Sequence, residues 1–449
     1  MRYLLVWSIV LPMYLVGCST APSTAQPPAP RPGPPVVPAS PTVAPSLEAR
    51  PHAEAPPEQP PGQRLERLTL AQALALADRL HPELAAGQAQ IARAEGRALQ
   101  AGLFPNPELV ARMESAPFTA RVAEQAEYVV GVSQAVPLGK RLALARRVEL
   151  LDRDRVLHEL AAKRLDIHMR VQSAFATALY GQRVIQARED EVRSAANGVA
   201  LAKARLAAGD AIPTEVAQAE MELRRAELER DKATSSAAQA LHALGAALGD
   251  ATLEVGSLEG ALEGDLVVPP LASLVARLDE SPLVAVAAAD TAVQRAQIDL
   301  VEAQRTPDVN VDLFYHRLSD TENAFDVGVR LPLRVFDRGQ GRLQETRAEL
   351  AAAEARARTI RNELSLRVQT AHRKLTRAIA AATLLREEIL PRAESVLQGA
   401  EARYRAGDMS LSELLPVRRD WIRVRLDYLD TLHDVMQAWA ELSPYVWQE

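Results

Sequence analysis

A single cysteine, Cys18, is all the thiol chemistry in this 449-residue sequence. That excludes an internal disulfide framework and any cysteine-built zinc cluster. Aromatic residues are only 4% of the chain, which points to long helices more than to a large sheet core. The net charge of −6 gives a nucleic-acid partner no electrostatic support. Histidines are scattered: His158 and His168 share no helix face, and no His-x3-His or acidic run has ligand spacing, so neither a metal site nor a cofactor is expected. Gly339-Gln340-Gly341 lacks the third glycine of a dinucleotide fingerprint, and Gly139-Lys140 lacks the glycine that opens a phosphate-binding loop. With no nucleophile, metal or cofactor constellation, an enzyme is not expected.

What is present begins with a targeting segment, residues 1–17. Arg2 is a short basic region, and the apolar stretch from Tyr3 to Val16 is too short to span a bilayer comfortably, as in a cleaved signal peptide. It ends in Leu15-Val16-Gly17-Cys18, which resembles the bacterial lipobox, so Cys18 is the expected site of lipidation. Ser19, not Asp, follows it, as in lipoproteins sent to the outer membrane. Residues 18–62 then hold half of the chain's Pro 30 and read as an extended tether with no core to bury.

The longest ordered stretch runs from Gly341 to Gly407. Leu343, Leu350, Ala357, Leu364, Ala371, Ala378 and Leu385 recur every seventh residue, and Val368, Leu375, Ala382 and Ile389 interleave with them. This is a coiled-coil seam, with charges on the other faces. No Gly or Pro interrupts it before a kink expected at Pro391, and the whole helix would be ~100 Å long. A rod or a tunnel wall uses such an element; a compact domain does not.

The plan occurs twice. His81-Pro82 returns as Ser281-Pro282, Pro107 as Pro307, Val130-Gly131-Val132 as Val327-Gly328-Val329, and Ala208-Gly209-Asp210 as Ala406-Gly407-Asp408. The offset is always about 200 residues, the mark of a tandem duplication. The first repeat covers 63–250 and the second 281–443, with a mixed segment at 251–280 and a tail at 444–449. In each, a short helix (82–104; 282–305) leads to two period-two runs, then to a long helix (142–208; 342–406). A glycine-capped turn and a returning helix (214–248; 412–442) complete the repeat. The short and returning helices together match the long one in length, so stacked end to end they can line it as one antiparallel partner.

The period-two runs, near 108–116, 125–134, 308–317 and 324–332, have the length of tilted membrane strands. Val309, Val311, Leu313, Tyr315, Phe325, Val327, Val329 and Leu331 form the apolar, lipid-facing side; Asn310, Asp312, His316, Asp326 and Arg330 form the lumen-facing side. The same alternation also fits a soluble hairpin packed on a helix. If the runs do cross a bilayer, four strands leave open edges that lipid does not tolerate, so copies must combine. Lys140, Arg141, Arg146 and Arg147 read either as a solvated face or as a rim against lipid headgroups.

With Asn106-Pro107-Glu108-Leu109, the Gln134–Arg141 stretch, Leu331-Pro332-Leu333, Asp337-Arg338-Gly339-Gln340-Gly341 and the paired Ala-Gly-Asp tips, the chain resembles the TolC family of outer-membrane efflux channels. The Asn-Pro-Glu-Leu and Gly-Lys-Arg stretches look most like members from cobalt–zinc–cadmium and copper efflux systems. The resemblance covers about Leu65 to Leu442. It departs from the pattern at 112–124, which is irregular for a strand, and in lacking a Met- or His-rich tract. It implies a mainly α fold with a small β part: a homotrimer with a twelve-stranded barrel on a helical periplasmic tunnel. Its partners would be a periplasmic adaptor and an inner-membrane pump, in outer-membrane lipid, exporting heavy-metal cations or drugs. Arg205, Gly209, Asp210, Glu401, Arg403, Arg405, Gly407 and Asp408 would form the tips, as gate and adaptor-docking surface, with Glu394 nearby; ordinary coiled-coil flank charges are the alternative reading. A lipidated periplasmic adaptor and a pore-less stalk remain as rival functions.

Overall fold

The computed structural model describes residues 64–114, 126–264, 266–317 and 323–446. Cys18, the signal segment and the Pro-rich tether lie outside the described residues, as do the polar turn at 319–321 and most of the irregular stretch, 115–124.

The first repeat opens with two elements that periodicity did not separate from the loop before Pro82. They are strand β1 (Arg64–Thr69) and helix α1 (Leu70–Leu80). Thr69 starts α1 by a reciprocal capping box with Gln72. Pro82 then opens α2 (Pro82–Ala101), followed by β2 (Glu108–Glu114), β3 (Glu127–Val136), α3 (Arg141–Ala208) and α4 (Pro213–Leu248). Helix α3 runs 68 residues without a break, ~100 Å at 1.5 Å per residue. Strand β4 (Glu254–Glu259) and helix α5 (Leu271–Ala276) lie between the repeats. The second repeat has α6 (Pro282–Ala303), β5 (Val309–Arg317), β6 (Asn323–Arg330), α7 (Gln340–Leu384), α8 (Leu390–Ala406) and α9 (Leu411–Leu442). The kink expected at Pro391 is a π-helical turn, Leu385–Ile389, just ahead of it. There Leu390 N donates to Leu385 O, five residues back, in a wider turn that gives the proline ring room.

End-to-end stacking is visible in the contacts. Helix α2 runs antiparallel to the start of α3, with Arg97 on Glu149 and Asp152. Helix α4 continues along the rest, with Lys203 on Glu220. The two meet at Gly249, which caps α4 at φ 95°; a Cβ there would lie 2.7 Å from the His81 Cα. Only glycine fits that junction. In the second repeat α6 lines the first half of α7 (Arg295–Glu354, Arg356–Asp290) and α9 the second (Lys374–Glu441).

The seam of α7 changes phase where its partner changes. The expected positions are buried or half-buried, and the interleaved series extends backward as Thr346, Ala353 and Ile360. Spacings of three and four alternate along it, except where Ile360, Leu364 and Val368 follow one another at four and four. Such a stutter locally unwinds a coiled coil. Around this level lies the largest core, in which Leu68, Ala77, Ile167, Phe175, Leu248, Leu258, Leu364, Leu375 and Leu442 join α1, the β1–β4 pair and four long helices. Strands β1 and β4 pair in parallel, Arg64 with Glu254 through Thr69 with Glu259. The mixed segment thus forms a collar around the middle of the rod.

The two hairpins merge into one antiparallel sheet in the order β2-β3-β5-β6. Strand β3 of the first repeat pairs with β5 of the second, from Tyr128 on Arg317 to Val136 on Val309. Strands β2 and β6 are the edges, and neither has an outer partner among the described residues.

Candidate functional site

The register sorts the sheet into two faces. Leu109, Val132, Leu313 and Val327 form one row across it; Ala111, Val130, Tyr315 and Phe325 form the next. These side chains stand in the open, with Phe325 74% and Val327 75% exposed. An apolar patch of this extent must meet lipid or protein. Leu331, read as part of the last strand, falls one residue past the end of β6, and Pro332 follows it.

The opposite face is polar and ordered. Asp312, 3% exposed, accepts from Ser133 Oγ at 2.5 Å, from Arg330 Nε at 2.8 Å and from Arg330 Nη2 at 3.1 Å. Gly328 sits opposite Asp312 and leaves room for it. His316 Nε2 is 2.8 Å from Asp326 Oδ2. Asn310 pairs with Arg330 in the same register. All five residues expected to face a lumen therefore share one side of the sheet. Phe314 shares it too: its ring lies over Gly131 and under the Arg112 guanidinium, 5.0 Å from its centre.

Where strands hand over to helices, the backbone turns through left-handed residues. Helix α7 begins after Gly339 (φ 72°), and α3 after Gly139 (φ 71°) and Lys140 (φ 60°). Lys140 is the only non-glycine residue with positive φ among the described residues, a conformation that costs a side chain ~1–2 kcal/mol.

At the far end the two tips are copies. Gly209 (φ 85°) and Gly407 (φ 87°) close α3 and α8. Asp210 N donates to Arg205 O and Asp408 N to Arg403 O, both at 2.9 Å, completing a Schellman motif in each. Arg205 Nη2 donates to Asp210 O and Arg403 Nη2 to Asp408 O. The copies differ in one contact. Arg205 also stacks on the buried Tyr404 ring, 4.8 Å from its centre, and donates to Tyr404 O at 3.3 Å. Tyr404 and the Leu411 and Leu414 side chains make a small core with Val199 and Ala202 of α3.

The tip charges are largely committed within the chain. Glu401 accepts from Arg405 at 3.1 Å and from Arg418 Nη2 at 2.8 Å, and Arg418 also reaches Ser194 O on α3. Arg419 pairs with Glu222, tying α9 to α4. Among the described residues, the Asp210 and Asp408 carboxylates and the Arg403 guanidinium make no ion pair. Arg418 carried no signal as a tip residue, and the stacking role of Tyr404 was marked only by an aromatic in the second repeat where the first has Leu206.

A second polar seam joins α3 to α9 at mid-rod. Gln437 Nε2 shares its two hydrogens among Ser173 O at 2.9 Å and Thr177 Oγ1 and His433 Nε2, both at 3.0 Å, the last being an acceptor when the imidazole proton is on Nδ1. The Tyr180 ring lies on His433, 4.8 Å between centres, and its hydroxyl donates to Asp430. Burial holds His433 below the usual histidine pKa, against the pull of Asp434 and Asp430. Burial and the Asp430 hydrogen bond both push the Tyr180 hydroxyl up.

A two-faced sheet with open edges on a rod with capped tips describes a wall more than a catalytic centre. The family model described as "Outer membrane efflux protein" matches residues 73–250 and 274–446. The chain belongs to that family. It is an efflux channel of the outer membrane with its helical part in the periplasm, and the adaptor and stalk readings fall. The two matched stretches follow the two repeats, leaving a gap that takes in β4 and the start of α5. A cobalt-zinc-cadmium resistance protein of Cupriavidus metallidurans, CzcC, is 30% identical over 386 residues, covering 84% of this chain and 90% of that one. Among solved structures, the CmeC outer membrane channel of Campylobacter jejuni matches with a TM-score of 0.69 at 13% identity, over 84% of this chain and 85% of that one. The open state of the Neisseria gonorrhoeae MtrE outer membrane channel matches at 0.66 and 15% identity, over 84% and 88%. These two share the fold.

Proposed function

We propose that three copies of this efflux channel close one twelve-stranded barrel and form a passive conduit for heavy-metal cations. The observation that carries the assembly is the pair of open edges, β2 and β6, on a sheet whose apolar face is bare. Unpaired backbone groups are not tolerated in lipid, and four strands are too few to close alone. Edge β6 of one copy then meets β2 of the next. Val309, Val311, Leu313, Tyr315, Phe325, Val327 and Val329 face lipid, while Asn310, Asp312, His316, Asp326 and Arg330 face the lumen. Such a lumen selects only by width and polarity; an inner-membrane pump supplies cargo through a periplasmic adaptor docked at the tips. The acyl chain on Cys18 adds an anchor.

The cargo assignment rests on the likeness to CzcC. At the tips, Asp210, Asp408 and Arg403 retain charges for pairs between copies, whereas Glu401 and Arg405 are taken within one copy. Two measurements test the proposal. The full chain in mild detergent should run as a trimer and give single-channel conductance in planar bilayers; a monomer without conductance overturns the conduit. A deletion strain should lose tolerance to cobalt, zinc and cadmium salts; loss confined to organic drugs overturns the cargo.

A further inference from the structure

The junction between sheet and rod carries an unclaimed surface. Four short crossings make it: residues 102–107, 137–140, 304–308 and 331–339. Their apolar side chains stand in solvent, among them Phe104, Leu333 at 81% and Phe336 at 91% exposed. The alternation of β6 does not stop where its hydrogen bonds stop. Phe325, Val327 and Val329 are followed at the same spacing by Leu331, Leu333 and Val335, so the apolar row continues toward the rod.

Cations are set among these side chains. Lys140, Arg305, Arg334 and Arg338 are exposed, and none makes an ion pair among the described residues. The two carboxylates of the crossings are already taken. Asp308 is held by Arg141 at 2.6 Å; Asp337 accepts from Gly339 N at 2.8 Å and faces Arg342. Backbone carbonyls, not acids, steady two of the free guanidinia: Arg334 donates to Gln304 O, and Arg338 Nε to Val335 O at 3.3 Å. Their charge is left unneutralised. Lys140 adds an independent sign, because a lysine occupies the left-handed position where the second repeat uses Gly339. A strained side chain retained on the surface points to a use for it.

We propose that this belt binds the anionic phosphate headgroups of phospholipids in the periplasmic leaflet, with Lys140, Arg305, Arg334 and Arg338 on the phosphates and Leu333 and Phe336 among the acyl chains. The inference rests on the conduit reading, which puts the apolar sheet face in lipid. The belt continues that face at the sheet end next to the periplasmic helices. Unpaired cations beside exposed apolar groups match a leaflet surface, where negative charge lies directly over hydrocarbon. A neighbouring copy is the other candidate for covering the belt.

The test uses the full-length assembly in nanodiscs of mixed phosphatidylglycerol and phosphatidylcholine, with retained lipids counted by native mass spectrometry. The wild-type protein should hold phosphatidylglycerol about tenfold above the bulk ratio, less in high salt. The variant K140Q/R305Q/R334Q/R338Q should lose that preference while keeping trimer and conductance. No enrichment in the wild type, or enrichment that survives both the substitutions and high salt, overturns the belt and leaves the conduit standing. A variant that dissociates, alongside a wild type with no enrichment, assigns the surface to contacts between copies. A wild-type protein with neither trimer nor conductance fails the conduit, and the belt with it.

Discussion

The Arg205 guanidinium lies 4.8 Å from the centre of the Tyr404 ring and donates to the Tyr404 carbonyl. The tip of the first repeat is thereby fastened to the tip of the second within one chain. The equivalent Arg403 makes the same local bond to Asp408 O, but in a ring of alternating repeats it would face Leu206 of the next copy, where no ring waits. In the proposed trimer the seams around the tips would therefore be unequal, with the weaker ones between copies.

Arg205→Ala should loosen the tip without dissociating the assembly. A cation–π contact with two hydrogen bonds contributes about 1–2 kcal/mol. Single-channel recordings should show a higher mean conductance. Tyr404→Phe should behave as wild type, because the buried hydroxyl has no hydrogen-bond partner among the described residues.

Glu401 and Arg418 should be energetically coupled. Their side chains are 21% and 17% exposed, so the pair is partly desolvated, and a double-mutant cycle should return about 1 kcal/mol. Additive single effects on urea unfolding would count against it.

Acid should loosen the α3–α9 seam. The His433 pKa is lowered in the folded chain, mainly by burial, so the unfolded chain binds the extra proton first. Stability is complete above the unfolded value of about 6.5 and declines as pH falls toward the folded pKa. A protonated Nε2 can no longer accept from Gln437, which strains the contacts to Ser173 and Thr177. Amide exchange at 430–442 should be faster at acid pH, and His433→Gln should flatten the dependence. His81 is shifted the same way by burial, so the readout has to be local to α9.

Two glycines with positive φ should respond differently to alanine. At Gly209 a Cβ meets open space, so only the backbone penalty of ~1–2 kcal/mol applies. At Gly249 the Cβ would also press on His81 Cα at 2.7 Å and Pro82 Cδ at 2.9 Å. Gly249→Ala should lower stability by ~3 kcal/mol or more, separating α4 from α2. Denaturant midpoints of the two variants compare them directly.

Much of this architecture was determined by the sequence alone. Heptad spacing, period-two runs, proline starts and glycine caps are local signals, repeated within one or two turns, so the order of long helices and strands could be read along the chain. The duplication could be read because both copies preserve the same punctuation. Only the tertiary structure decided which elements meet. The β1–β4 pair, the β3–β5 pairing across repeats, the partner change at the α7 stutter and the Arg205–Tyr404 contact all join residues far apart in the chain. Their stability comes from burial and register between separate elements, and neither leaves a periodic mark on either segment.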